Sequence, residues 1–417
     1  MVSNSNDCGR SRRSFLRASA ASVTIGTAAV SGCMGGLGSG GGTRTIGAAI
    51  PQTGELSEFG AHYERQSEFA LSFINEDQER LKMTYEDTQT APNVGVTAAE
   101  KLVNQEGLPM LFAGLSSGVA LAVARSVAIP NETLMATGGT SSKISSLDDD
   151  DLVFRGSPPT QFQARALATL VSGQDVNSTS VIFINNDFGT AISEEFKASY
   201  EELGGTVNEM IGYAPGKSSY KSQLNSATAQ DPEGIIFIAY PKAFTVMAKE
   251  AYEMGIKDEV RYFANETVRG ANVTNNLDGK AINGMMGTQP NPPTNRGVYQ
   301  QFIEDNKAEF DREPIVWEAY YFDTTVLCGL ASVAADSYDS DSLKQAVYPL
   351  SRPEGETYTY KEIGDAISAL ENGDPINYDG VSGSVDLDQR GDVPGSYRRW
   401  EVVDGAFEEG DFIDYTE

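Results

Sequence analysis

Ile46-Gly47-Ala48-Ala49-Ile50, followed by Phe69, Ala70, Phe73 and Ile74 on one helical face, sets the pattern by which the whole chain is read. The first stretch is a short apolar run that suits a strand buried on both sides. The second has the spacing of a buried helical stripe. The alternation continues, with further strands expected at 108–113, 133–137, 152–156, 179–184, 234–239 and 260–264. Helices are expected between them at 94–105, 162–172, 192–203 and 242–254. Repeated β-α-β units predict an α/β fold whose parallel sheets are covered on both faces by helices.

The strands are too many for one comfortable sheet. One break falls at Gly156-Ser157-Pro158-Pro159 and a second at Gln289-Pro290-Asn291-Pro292-Pro293, after which helices are expected through 298–310 and 316–335. The chain therefore reads as two doubly wound lobes joined by multiple crossovers. The first lobe takes 44–157 and 290–381, and the second takes 158–289 and 382–417. Ligands bind such sheets outside the carboxyl ends of the strands, so two facing lobes make a cleft.

The 417 residues carry 59 acidic against 31 basic side chains, a net charge of −28. Such a surface repels phosphate backbones and anionic headgroups, which argues against nucleic-acid or peripheral membrane binding. Acidity spread along the entire chain suits solubility in strong salt, as in a halophile. At the N-terminus, Ser11-Arg12-Arg13-Ser14-Phe15-Leu16-Arg17 resembles the twin-arginine export consensus. A weakly apolar run, 18–30, follows and is too short to span a bilayer. It ends in Val30-Ser31-Gly32-Cys33, which resembles a lipobox with Cys33 as the lipidated residue. Residues 1–32 thus read as an export signal, and 33–43 as a flexible Gly/Ser linker that tethers the protein to the outer face of the membrane. Cys328, in the apolar stretch around Leu327, is expected to be a buried, unpaired thiol.

Enzyme chemistry has little to stand on. The single histidine, His62, allows no histidine metal cluster and is expected to serve a surface or capping role. There is no P-loop, no dinucleotide fingerprint after the first strand and no Cys-x-x-Cys, so neither catalysis nor a metal or cofactor is expected. The acidic run Asp148–Asp151 reads as a solvated loop. Asn131, Asn177, Asn265 and Asn272 each begin a glycosylation sequon.

The chain does carry groups suited to an α-amino-acid zwitterion. Gly114-Leu115-Ser116-Ser117-Gly118 and Gly138-Gly139-Thr140-Ser141-Ser142 stand at strand-to-helix junctions and offer hydroxyls and amides to a carboxylate. Each could also be a simple helix cap. Glu266, just past a strand, offers a carboxylate to an ammonium, though an exposed loop acid is the plainer reading.

Ala49-Ile50-Pro51-Gln52-Thr53-Gly54 followed by Phe59-Gly60 resembles the opening of the branched-chain amino-acid (Leu/Ile/Val) binding protein family, which has the type I periplasmic binding-protein fold. The resemblance runs from about Thr45 to Trp400. It implies Ser117 as a carboxylate-binding hydroxyl, Thr140 as a carbonyl for the ammonium, and Ser141 as a hydroxyl and amide for the carboxylate. Phe188 of Asn186-Asp187-Phe188-Gly189 would pack over the ligand, and Phe59 would lie beside it. Both stand where the family has tyrosine. Tyr240 and Tyr320 would reach into the cleft, and Glu266 matches the ammonium-binding glutamate. The family's first-lobe disulfide is missing. The implied function is a monomeric receptor that closes on an amino acid and docks on an ABC permease. The alternatives are a sensory module of the same fold, or a binder of an amide, urea or small carboxylate.

Overall fold

The computed structural model describes residues 42–413 apart from residue 353. Arg12, Arg13, Cys33 and almost all of the linker lie outside the described residues. Strands β1 (Arg44–Ile50), β2 (Leu81–Asp87), β3 (Met110–Ala113), β4 (Leu134–Thr137) and β5 (Val153–Arg155) form a wholly parallel sheet in the order β2-β1-β3-β4-β5. Its inner strands are apolar over most of their length because helices cover both faces, and their side chains feed separate core clusters on the two sides. The order reverses between β1 and β3, so a crevice opens at the carboxyl ends of those two strands.

The chain then crosses at 156–159 into a second lobe. There β6 (Ser178–Ile184), β7 (Thr206–Tyr213), β8 (Gly234–Ile238), β9 (Arg261–Ala264) and β10 (Met286–Pro290) are parallel, with the switch of order between β6 and β8. The proline-rich break ends β10, and the crossing back follows it at 291–296. Helices Gly297–Phe310 and Val316–Ala334 return to the first lobe, where β11 (Glu356–Tyr358) and β12 (Ile376–Tyr378) make a small parallel ladder. A final crossing leads to the antiparallel pair β13 (Tyr397–Val403) and β14 (Ala406–Ile413), which completes the second sheet as β14-β13-β10-β9-β8-β6-β7.

Two lobes with three crossings agree with the expectation from sequence, but the third crossing falls later than residue 382. Val385, Leu387 and Val393 are buried in the first lobe's core, and Arg155 donates its backbone N–H to Gly391 O at 2.9 Å. The third crossing is therefore 394–396. Sequence reading also missed β2, β7, β10, the β11–β12 ladder and the β13–β14 hairpin. Buried Cys328 lies on the long helix Val316–Ala334, where burial pushes its thiol up to about 12. No helix among the described residues is long and apolar enough to cross a membrane.

Candidate functional site

The first lobe contributes two turns that bond to each other. β3 ends at Gly114, whose φ is +77° and where a Cβ would stand only 2.5 Å from Ala120 N, so the position has room for glycine alone. The chain then enters the short helix Ser117–Val123. β4 ends at Thr137, whose Oγ1 donates to Gly114 O at 2.9 Å and accepts from Gly139 N at 3.1 Å. Ser117 Oγ accepts from Thr140 N at 3.2 Å and from Ser141 N at 3.0 Å. A hydroxyl has two lone pairs and one proton. Both lone pairs are taken, so the proton of Ser117 is left to donate to an anion in the cleft.

This arrangement corrects the expectation for Ser141. Its amide is engaged by Ser117, and its Oγ donates to Asp187 O at 3.3 Å, across the cleft on the second lobe. Ser141 is fully buried and links the lobes instead of lining the cavity. Thr140 does line it. The Thr140 carbonyl accepts from Thr160 N at 2.7 Å, which leaves one lone pair for a ligand.

The second lobe contributes an aromatic shelf and a carboxylate. Asn186 caps the helix Asp187–Glu202 by accepting from Gly189 N at 2.8 Å, and its Nδ2 donates to Tyr240 Oη at 3.2 Å. That cap holds Phe188 parallel to Tyr240, with ring centroids 6.1 Å apart at 17°. Burial pushes the Tyr240 phenol up to about 12.

Beyond β9, Asn265 is fully buried, accepts from Ala239 N at 3.2 Å and donates to Thr267 Oγ1 at 2.6 Å. A glycan on Asn265 is incompatible with that burial. The turn it fixes delivers Glu266, which is 5% exposed. Burial pushes the Glu266 carboxyl up to about 7, against the opposing donors Gln163 and Asn265. Gln163 Nε2 donates to one of its oxygens, and among the described residues no lysine or arginine pairs with it.

The helix Val316–Ala334 closes the cavity from the first lobe, though not with the tyrosine expected. Trp317 and Tyr321, one turn apart, line the cavity, and Tyr320 does not. A step of one residue turns the side chain by about 100° around the axis. Tyr320 is buried beside Trp317, with ring centroids 5.7 Å apart, and its carbonyl accepts from Thr324 Oγ1. Leu56, Leu115 and Thr267 also line the space, and sequence reading named none of these as ligand-facing. The i, i+4 pair Trp317 and Tyr321 was the signal available for that helix.

Of the expected site residues, Phe59, Ser117, Thr140, Phe188, Tyr240 and Glu266 surround one cavity that is partly open to solvent. Ser117 and Glu266 are its polar groups of opposite character, one a free donor and the other a carboxylate without a cation. The remaining wall is largely apolar or aromatic. Such a cavity can hold a small solute with a cationic group, an acceptor and an apolar body.

His62 departs from a surface or capping role. It approaches buried Glu318 at 3.0 Å, where Arg65 also pairs at 3.2 Å and Arg312 more closely still. Among the described residues, no group of three or more His, Cys, Asp or Glu side chains is placed to hold a metal ion.

The sequence profile of the periplasmic binding protein family matches residues 43–389. The chemotactic signal transduction system substrate-binding protein BasB of Halobacterium salinarum is 23% identical over 391 residues, 87% of this chain and 88% of its own. A Leu/Ile/Val-binding protein homolog of Brucella melitensis is 23% identical over 337 residues, 78% of this chain and 89% of that one. A leucine-binding protein of Thermotoga maritima superposes with a TM-score of 0.76 at 20% identity, covering 89% of this chain and 99% of its own. The two parallel-sheet lobes are those of the type I periplasmic binding fold, and this chain, a solute-binding protein and not an enzyme, belongs to the periplasmic binding protein family.

Proposed function

We propose that the protein is an exported, lipid-anchored receptor that captures an amino acid with an apolar or moderately polar side chain for an ABC importer. One observation carries the choice of ligand: Glu266 is a buried carboxylate without a cationic partner, on the same cavity as the free proton of Ser117. A buried charge without a partner is costly, and an ammonium from the ligand removes that cost. Ser117 then holds the ligand's carboxylate, while the Phe188–Tyr240 shelf and Trp317 enclose its side chain. Capture proceeds by hinge closure, because groups from both lobes meet the same solute. The names of the relatives from Brucella melitensis and Thermotoga maritima agree with this class of ligand.

A thermal-shift screen of the protein in high salt against amino acids, amides and small carboxylates identifies the ligand. Calorimetry on Glu266→Gln then tests its chemistry. Unchanged affinity in that variant would overturn the amino-acid reading and favour an amide or simple carboxylate. A second reading, sensing, is favoured by the chemotactic relative of Halobacterium salinarum. Deleting the gene separates the two: loss of amino-acid uptake supports transport, and loss of chemotaxis with intact uptake supports sensing.

Export through Arg12 and Arg13, and anchoring through Cys33, rest on the pattern of the N-terminal sequence. Cys33→Ser is expected to release the protein into the medium or leave its precursor uncleaved. A Cys33→Ser protein that is processed and membrane-bound like the wild type would refute the anchor.

A further inference from the structure

Arg155 is fully buried at the end of β5, directly before the first crossing. Its Nε donates to Asp392 Oδ1 at 2.6 Å, and Asp392 lies two residues before the third crossing. One terminal nitrogen donates to both Ser141 O, at 2.9 Å, and Gly139 O, at 3.2 Å. The other donates to Ser145 Oγ. A single guanidinium therefore holds the turn that carries Thr140 and Ser141 by two carbonyls and a hydroxyl. It is itself held by the segment entering another crossing. Gly391, with φ of +69°, lets that segment lie against Phe154, where a side chain would meet Val153 O at 2.4 Å.

The same turn is tied at the far end of the first crossing. Thr160, the first residue of a second-lobe helix, donates its N–H to Thr140 O at 2.7 Å, and its Oγ1 accepts from Ser142 N at 3.2 Å. Rotation of the lobes about 156–159 moves Thr160 relative to Arg155. The turn is thus pulled from the second lobe and retained by the first.

We propose that Arg155 is a positioning residue for ligand capture: by retaining the Gly139–Ser141 turn on the first lobe, it keeps the Thr140 and Ser141 amides on Ser117 as the lobes close. The effect on ligand binding rests on the cleft reading above, whereas the effect on the turn does not. A lysine at this position supplies charge but cannot hold two carbonyls and a carboxylate in one planar fork.

Two measurements test it. First, stopped-flow fluorescence of Trp317 follows release of L-leucine from the full chain. The other tryptophan, Trp400, lies buried in the second lobe away from the cavity. Arg155→Lys is expected to speed release by about tenfold to a hundredfold, and Asp392→Asn by less in the same direction. Second, hydrogen exchange of the ligand-free proteins follows the Thr140 and Ser141 amides. Both should exchange at least about tenfold faster in Arg155→Lys, while the amides of β8 stay at the wild-type rate. A merely structural arginine would lower the melting temperature and speed exchange throughout the fold, and that result overturns the proposal. So does wild-type exchange at Thr140 and Ser141 in both variants. If wild-type protein fails to bind L-leucine, the amino-acid reading is put in question, and the exchange measurement alone decides the role of Arg155.

Discussion

Lys143 places its ammonium 3.0 Å from the Asp187 carboxylate, and the two residues stand on opposite lobes. Together with the bond from Lys242 Nζ to Gly54 O at 3.3 Å, it ties the lobes across the cleft. The two ion-pair side chains are 42% and 38% exposed, so the pair contributes within about 1 kcal/mol. Lys143→Gln is expected to weaken ligand binding by less than about fivefold at low salt. The difference should vanish in molar salt, where exposed pairs are screened. Titrations at two salt concentrations check it.

The pH dependence of binding should follow Glu266. Without a ligand its carboxyl sits at about 7, so much of it is protonated in mild acid. A cationic ligand favours the ionised form and pulls that value down, so binding below about pH 7 expels a proton. Affinity then falls by up to about tenfold per pH unit as the medium is acidified. Calorimetry in buffers of different ionisation heat counts the proton. Glu266→Gln should abolish the slope and cost about 2–5 kcal/mol of binding.

Without ligand, the sign for stability is the reverse. The folded value, about 7, lies above the ordinary 4.5, so the folded state holds the proton across that window. The contribution of Glu266 to stability therefore grows as the pH falls from about 7 to 4.5. Replacement by glutamine should flatten this part of the pH–melting curve.

Glu318 behaves oppositely. Burial alone would raise its carboxyl, but bonds from His62 and Arg312 more than offset this and hold it at about 2. Its stabilising effect is complete above 4.5 and is lost as the pH falls through about 2. Glu318→Gln leaves His62, Arg65 and Arg312 without their shared anion and should cost about 3–5 kcal/mol, read by urea unfolding at neutral pH.

Salt should stabilise the protein even without ligand. A net charge of −28 repels itself when screening is removed. Raising potassium chloride from about 0.1 M to about 3 M should lift the melting temperature by several degrees, and a flat profile would contradict adaptation to strong salt.

Most inner strands of the two sheets were legible because burial on two faces writes an uninterrupted apolar run, as at Ile46–Ile50 and Ile235–Ile238. Apart from β10, whose Thr288, Gln289 and Pro290 leave no apolar run, the missed strands stand at or near sheet edges, where one face meets water. β2 carries Lys82, Glu86 and Asp87, and β13 carries Arg398 and Arg399, so neither shows such a run. The polar site residues were named through the family resemblance, because a serine at a strand-to-helix turn also suits a helix cap and a glutamate past a strand also suits an exposed loop. Trp317 and Tyr321 were harder, since an aromatic residue on a wholly buried helix looks the same whether it meets a core or a ligand. The family resemblance points to Tyr320 in their place, and only the rotation of the helix separates the three.

The strand order of the second lobe also bears on how the molecule is made. β10 pairs with β9 on one side and with β13 on the other, and β13 follows more than a hundred residues later in the chain, after most of the other lobe has been made. Trp400, the largest fully buried side chain, arrives only with that strand. While a nascent chain emerges from the ribosome, the edge of β10 stays open and the second lobe lacks its largest filler. The first lobe likewise waits for its helices after residue 296. Neither half can mature ahead of the other, so folding is concentrated after synthesis ends. If the protein is exported as proposed above, a translocation route that accepts finished molecules would spare this connectivity from having to assemble after export.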